Sequence, residues 1–138
     1  KVGAIMETKA FFLKRLNDHV QYLKRVKERL DGANNFEPTD CHTCALGHWL
    51  YGEGQQEVTS YGPKVVDLFN QLLEPHERFH TVSAEALQAK LAGDEVGMRR
   101  ALTDMHKISN SLITILLQMD TLVTKSLKAA ATQAVNSH

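Results

Sequence analysis

From residue 1 to Leu30, apolar side chains recur at Phe12, Leu16, His19 or Val20, Leu23, Val26 and Leu30, and only Gly3 weakens the helical run. Steps of three and four place these positions on one face of a helix with 3.6 residues per turn. Asp31-Gly32 ends the run, with glycine free to take the left-handed turn that closes a helix. Residues 33–40, with paired asparagines and Pro38, read as loop. Thr39 or Asp40 is then predicted to cap a short helix reaching about Tyr51, where Gly52 and Gly54 stop it. After a polar turn over 54–62, Pro63 suits a first helical position. A stripe of Val65, Leu68, Phe69, Leu72, His76, Phe79, His80 and Leu87 continues towards Leu91, with a kink predicted at Pro75.

Gly93-Asp94 gives a stop and a new cap, after which Ala101, Met105, Ile108, Leu112, Ile115, Met119 and Leu122 repeat in four-three steps. No segment alternates with a period of two between hairpin turns. The predicted fold is all-α: an antiparallel bundle of three long helices plus one short helix bearing a cysteine motif. A last helix over 94–131 would be roughly 57 Å long against roughly 43 Å for the first, so one end should overhang. The tail over 129–138, small and polar, is predicted to fray.

The chain has 138 residues, enough for a single domain over 1–138 with its own core. Sixteen basic residues balance sixteen acidic ones. A zero net charge provides no long-range attraction for nucleic acid or an anionic membrane. No apolar run approaches the roughly 18 residues that would span a bilayer, so a soluble cytoplasmic protein is expected. The start at lysine rather than methionine suggests a piece of something longer. Two cysteines are too few for a disulfide scaffold. Seven histidines are the unusual count, and the helical pattern divides them.

His19 falls on the buried seam of the first helix, where an imidazole needs a partner. His76 and His80, four apart, project from one face of the later helix, a spacing at which two nitrogens can meet one ion. Cys44 is placed early in the short helix, where unpaired backbone N–H groups favour a thiolate. Three imidazoles and one thiolate form a closed tetrahedral set suited to zinc. Each residue also has a plain packing role, His19 as a satisfied core histidine and Cys44 as a small hydrophobe. His42, His48, His106 and His138 fall outside the set and are assigned to the surface.

The run Cys44-Ala45-Leu46-Gly47-His48-Trp49 resembles the signature of the chemoreceptor zinc-binding (CZB) family, cysteine, any residue, an apolar residue, glycine, any residue, tryptophan. His19, Cys44, His76 and His80 occur in the order of that family's zinc ligands. The resemblance implies a bacterial cytoplasmic sensory module, not an enzyme, built as a homodimeric helical bundle. It also implies Zn²⁺ held by these four residues and an output through a chemoreceptor or diguanylate cyclase, in cis or in trans. Zinc availability, or attack on the thiolate by an oxidant such as hypochlorous acid, would be the stimulus.

Two other motifs compete. His76-Glu77-Arg78-Phe79-His80 matches His-Glu-x-x-His, in which the glutamate of a zinc peptidase is general base. The extended form is missing, since Ser83 and Ala86 stand where glycine and a third histidine are needed, and Cys44 would take the position that a catalytic zinc keeps for water. Glu85 and Glu95 are alternative third ligands without a convincing scaffold. Cys41-His42-Thr43-Cys44 lacks the histidine after the second cysteine that haem attachment requires. Cys41 is either a packed bystander or a resolving thiol for an oxidised Cys44. A purely structural bundle remains the third reading.

Overall fold

The computed structural model describes the backbone of residues 2–136 and the side chains of residues 12–133. It is all-helical, with five helices and no strand among the described residues: α1 (Val2–Leu30), α2 (Ala45–Leu50), α3 (Gly54–Thr59), α4 (Pro63–Leu91) and α5 (Glu95–Asn136). His138, assigned to the surface from sequence, lies outside the described residues, and the predicted tail over 129–138 is helical as far as Asn136. Alanines at 129, 130 and 131, with no glycine or proline after them, explain why the helix passes the expected boundary.

The long-helix boundaries follow local chemistry. At the end of α1, Gly32 takes φ +80° while Gly32 N–H donates to Arg29 and Ala33 N–H to Glu28, closing the last turn. Gly93, at φ +77°, does the same for α4, and Asp94 then caps α5 by accepting the Gly97 N–H at 2.9 Å. Helix α4 runs through Pro75 as one continuous element.

The core lies between α1, α4 and α5, with α2 and α3 closing one side. Between His19 and Val20, the structure buries His19 and leaves Val20 exposed. In α5 the buried line is Ala101, Met105, Ile108, Leu112, Leu116, Met119 and Val123, while Ile115 and Leu122 are only partly buried. The four-three pattern misplaces those two because a straight helix turns 3.6 residues per turn and drifts about 20° per heptad from a 3.5-residue repeat. Beyond Val123, Leu127 alone packs on the core among the described side chains.

Two short elements differ from the sequence reading. The polar turn over 54–62 contains α3, nucleated by tertiary packing: Val58 is fully buried, and Gly54 lies so close to Trp49 and Phe69 that a Cβ there would sit 2.9 Å from the Phe69 ring. The cysteine-bearing helix begins at Ala45 rather than near Thr39 or Asp40. Asp40 commits its carboxylate to the His42 N–H at 2.7 Å, a local turn that competes with helix, and the Thr39 backbone is bonded to Tyr22 and His80.

Candidate metal centre

Cys44 is the N-cap of α2. Its backbone is extended (φ −79°, ψ 163°), and its sulfur accepts the Gly47 N–H at 3.2 Å. The thiol is therefore aimed by the first turn of a helix rather than carried within it. Gly47 is the reason the turn can close. A Cβ on Gly47 would fall directly onto the Cys41 carbonyl oxygen and 2.9 Å from its carbon, so the 41–44 turn and the first turn of α2 touch backbone to backbone. Gly47→Ala is expected to lower stability by about 1–3 kcal/mol through this overpacking and to displace the Cys44 sulfur. Thermal melts read the first effect and zinc competition the second; an unchanged melting temperature would contradict the close approach.

The Cys44 sulfur lies 3.2 Å from His76 Nε2. His80 completes a group in which one ligand atom from each of Cys44, His76 and His80 lies within 4.8 Å of the other two. Four-residue spacing on α4 brings the two imidazoles together edge to face, with ring centroids 4.8 Å apart. The edge of a tetrahedron with Zn–S of about 2.3 Å and Zn–N of about 2.0 Å is about 3.5 Å, so the spacing of this triangle suits zinc.

The backbone beside the triangle decides which nitrogen of His80 can ligate. His80 Nδ1 is 2.7 Å from the Thr39 carbonyl oxygen. A carbonyl can only accept, so Nδ1 carries the proton and Nε2 keeps its lone pair. The Tyr22 hydroxyl holds the backbone of that residue on both sides, accepting the Thr39 N–H at 2.8 Å and donating to the Thr39 carbonyl at 3.3 Å, while its ring packs 4.6 Å from that of His80. Tyr22 and Thr39 thus set the orientation of His80 from outside the triangle. Neither was identified from the sequence as a support of the site: Thr39 was read only as a helix cap, and Tyr22 gave only a weak signal as an apolar position one residue before Leu23. His76 Nδ1 is buried without a hydrogen-bond partner among the described residues.

Burial is the principal electrostatic force in the site. It pushes His76 down to about 3, with the charges of His80, His19 and His42 adding to the effect. His19 falls to about 4 for the same reason, with His80 contributing, and His80 is lowered although the Thr39 carbonyl and Asp40 oppose the shift. The imidazoles are consequently neutral at neutral pH, the form that binds metal. Burial raises the Cys44 thiol against the N–H donors of Gly47 and Leu46. The helix terminus alone therefore does not yield the thiolate expected from sequence, and a cation beside the sulfur is what would favour it.

His19 is buried beside this group but outside the triangle. Its Nε2 is 2.8 Å from Ser109 Oγ, and its ring meets Phe79 edge-on at 4.7 Å. Ser109 is a third supporting residue that the sequence did not single out. Cys41 is buried, its sulfur 3.5 Å from His42 Nδ1 and 3.7 Å from the Tyr51 hydroxyl. His42 and His48 are exposed and His106 is half-buried. Glu77, Glu85 and Glu95 are exposed, and Glu95 pairs with Arg99.

Residues 19–87 match the model of the chemoreceptor zinc-binding domain, an interval that begins at His19, contains Cys44, His76 and His80, and ends near the close of α4. The chain belongs to the chemoreceptor zinc-binding domain family. No curated protein and no solved structure matches it. In this family member the matched interval supplies the whole Cys44–His76–His80 triangle, with α5 packed against it from outside the match. No helix among the described residues is long and apolar enough to cross a membrane.

Proposed function

We propose that this CZB domain is a bacterial, cytoplasmic zinc-binding sensory module in which His19, Cys44, His76 and His80 hold one Zn²⁺ per chain. The observation that carries the reading is the buried Cys44–His76–His80 triangle, which joins the cap of a short helix to the middle of a long one. Bound zinc would supply the positive charge that keeps Cys44 ionised and would tie α2 to α4. His19 is the fourth ligand in this reading because it is buried and close enough to His76 and His80 to act on both electrostatically. Ser109 and Phe79 hold its ring in place.

In the same reading α5 runs against α1 and α4 in an antiparallel bundle. Grooves in which Leu68 accompanies Leu117 and Leu122, and Arg78 accompanies Asp104, support that sense for α4 and α5. The module acts as a homodimer without catalysis and without nucleic acid or membrane contact. A change in zinc supply, or oxidation of Cys44, loosens α2 and passes through the long helices to a chemoreceptor or diguanylate cyclase output in cis or in trans.

Metal analysis tests the reading. One zinc per chain is expected, with Cys44→Ala weakening affinity by more than about 100-fold, beyond the loss that removing a supporting hydrogen bond causes. Full zinc retention by Cys44→Ala would overturn the site. Unchanged affinity in His19→Ala would remove His19 and leave a three-residue site. Peptide hydrolysis that disappears in Glu77→Gln would replace the sensor with an enzyme.

A further inference from the structure

A buried metal site needs a path to solvent, and two clefts reach this one from different sides. One, of about 500 Å³, is lined by Asp40, His42, Glu77 and the buried ligand His80, with Thr39 and Cys41 in its wall. The other, of about 290 Å³, reaches the Cys44 side between α1 and the 34–45 segment and is lined by Arg25 as well as Asp18. The larger cleft has two carboxylates and no lysine or arginine in its lining; the smaller sets a cation at its wall. A divalent cation is drawn to the first and opposed by Arg25 in the second. A groove of similar size between α4 and α5 is lined by none of Cys44, His76 and His80.

The groups in the larger cleft are graded from solvent to site. Glu77, Asp40 and His42 are exposed, whereas His80 is 6% exposed. Asp40 Oδ1 lies 3.7 Å from His42 Nδ1. Glu77 precedes Arg78 on the outer side of α4, one residue after His76. Carboxylate and imidazole are the donors that hold zinc weakly when alone and replace its water stepwise.

Resting on the zinc-binding reading above, we infer that the Asp40–His42–Glu77 cleft is the port through which the divalent cation enters and leaves, with these three side chains as transient ligands that hand it to His80. They speed exchange in both directions without setting how tightly the ion is finally held, because they lie on the path and not in the triangle.

The test uses the full chain stripped with chelator. Zn²⁺ loading is followed by stopped flow against a fluorescent zinc indicator, and release by withdrawal into excess chelator. In Asp40→Asn/His42→Gln/Glu77→Gln, both rates are expected to fall about tenfold, at the lower end of what a cleft of one charge sign adds to an association rate. Equilibrium affinity stays at the wild-type value. The amide introduced by Asp40→Asn keeps an oxygen for the backbone N–H two residues on, so the turn bearing Cys41 and Cys44 is retained. Arg25→Ala, in the other cleft, leaves both rates unchanged. Wild-type rates in the triple variant would overturn the port while leaving the zinc site intact, as would a faster release with weaker affinity, which would make these residues part of the resting site. A wild-type chain that binds no zinc would instead overturn the underlying reading.

Discussion

Acidifying the metal-free protein from pH 7 to pH 4 is expected to cost it a large part of its stability. Burial holds His19 at about 4 and His76 at about 3, against 6.5 for the unfolded residue. With folded values depressed, the unfolded chain binds the proton first. The stabilisation is therefore fully present above pH 6.5 and is lost as pH falls through the interval down to about 4 and about 3. Between pH 7 and pH 4 each histidine accounts for up to about 3 kcal/mol, to be set against a total of about 5–15 kcal/mol for a domain of this kind. Denaturant titrations of chelator-treated protein at pH 7, 5.5 and 4 measure the loss. His76→Gln should flatten the profile, because an amide fills a similar place without a proton to gain. Equal stability at pH 7 and pH 4 would show that the imidazoles are not held neutral by burial.

Trp49→Ala should be the most damaging single truncation outside the histidine cluster. Trp49 is 2% exposed and meets Phe12 edge-on at 6.5 Å and Phe69 at 5.2 Å, with the Arg15 guanidinium 5.4 Å from its ring. These contacts anchor the six-residue α2, too short to be stable alone, to α1 and α4. Removing a buried tryptophan leaves a cavity and costs roughly 3–5 kcal/mol. Trp49→Phe should recover part of this, since a smaller ring still occupies the space. Chemical unfolding with zinc removed isolates the packing effect. A loss below about 1 kcal/mol would place the anchoring of α2 elsewhere, since that is less than even small core truncations generally cost.

The long-helix seams were legible because helical periodicity is local: positions three and four apart share a face whatever surrounds them. That placed His76 and His80 together and narrowed the first helix to His19 or Val20. Cys44, Gly47 and Trp49 stood out as a spaced motif. Gly47 reads in the sequence as a point of close approach to a neighbouring helix; the group that fills the place of its Cβ is instead the Cys41 carbonyl, in the turn just before α2. Near the middle of α5 the periodic reading slipped by one residue, from Ile115 and Leu122 to Leu116 and Val123, because small departures from an integral repeat accumulate along a 42-residue helix.

The sequence by itself determined the helical class, the boundaries set by Asp31-Gly32, Pro63 and Gly93-Asp94, and the residue types able to bind zinc, all of which rest on local backbone preference and side-chain chemistry. Tertiary structure decided that Cys44 caps α2, that residues 54–59 form a helix under Trp49 and Phe69, and that Tyr22 and Thr39 orient His80. It also paired His19 with Ser109, ninety residues away, and made burial rather than the helix terminus govern the thiol. No local pattern encodes these features, because each depends on which distant groups share a small volume from which water is excluded.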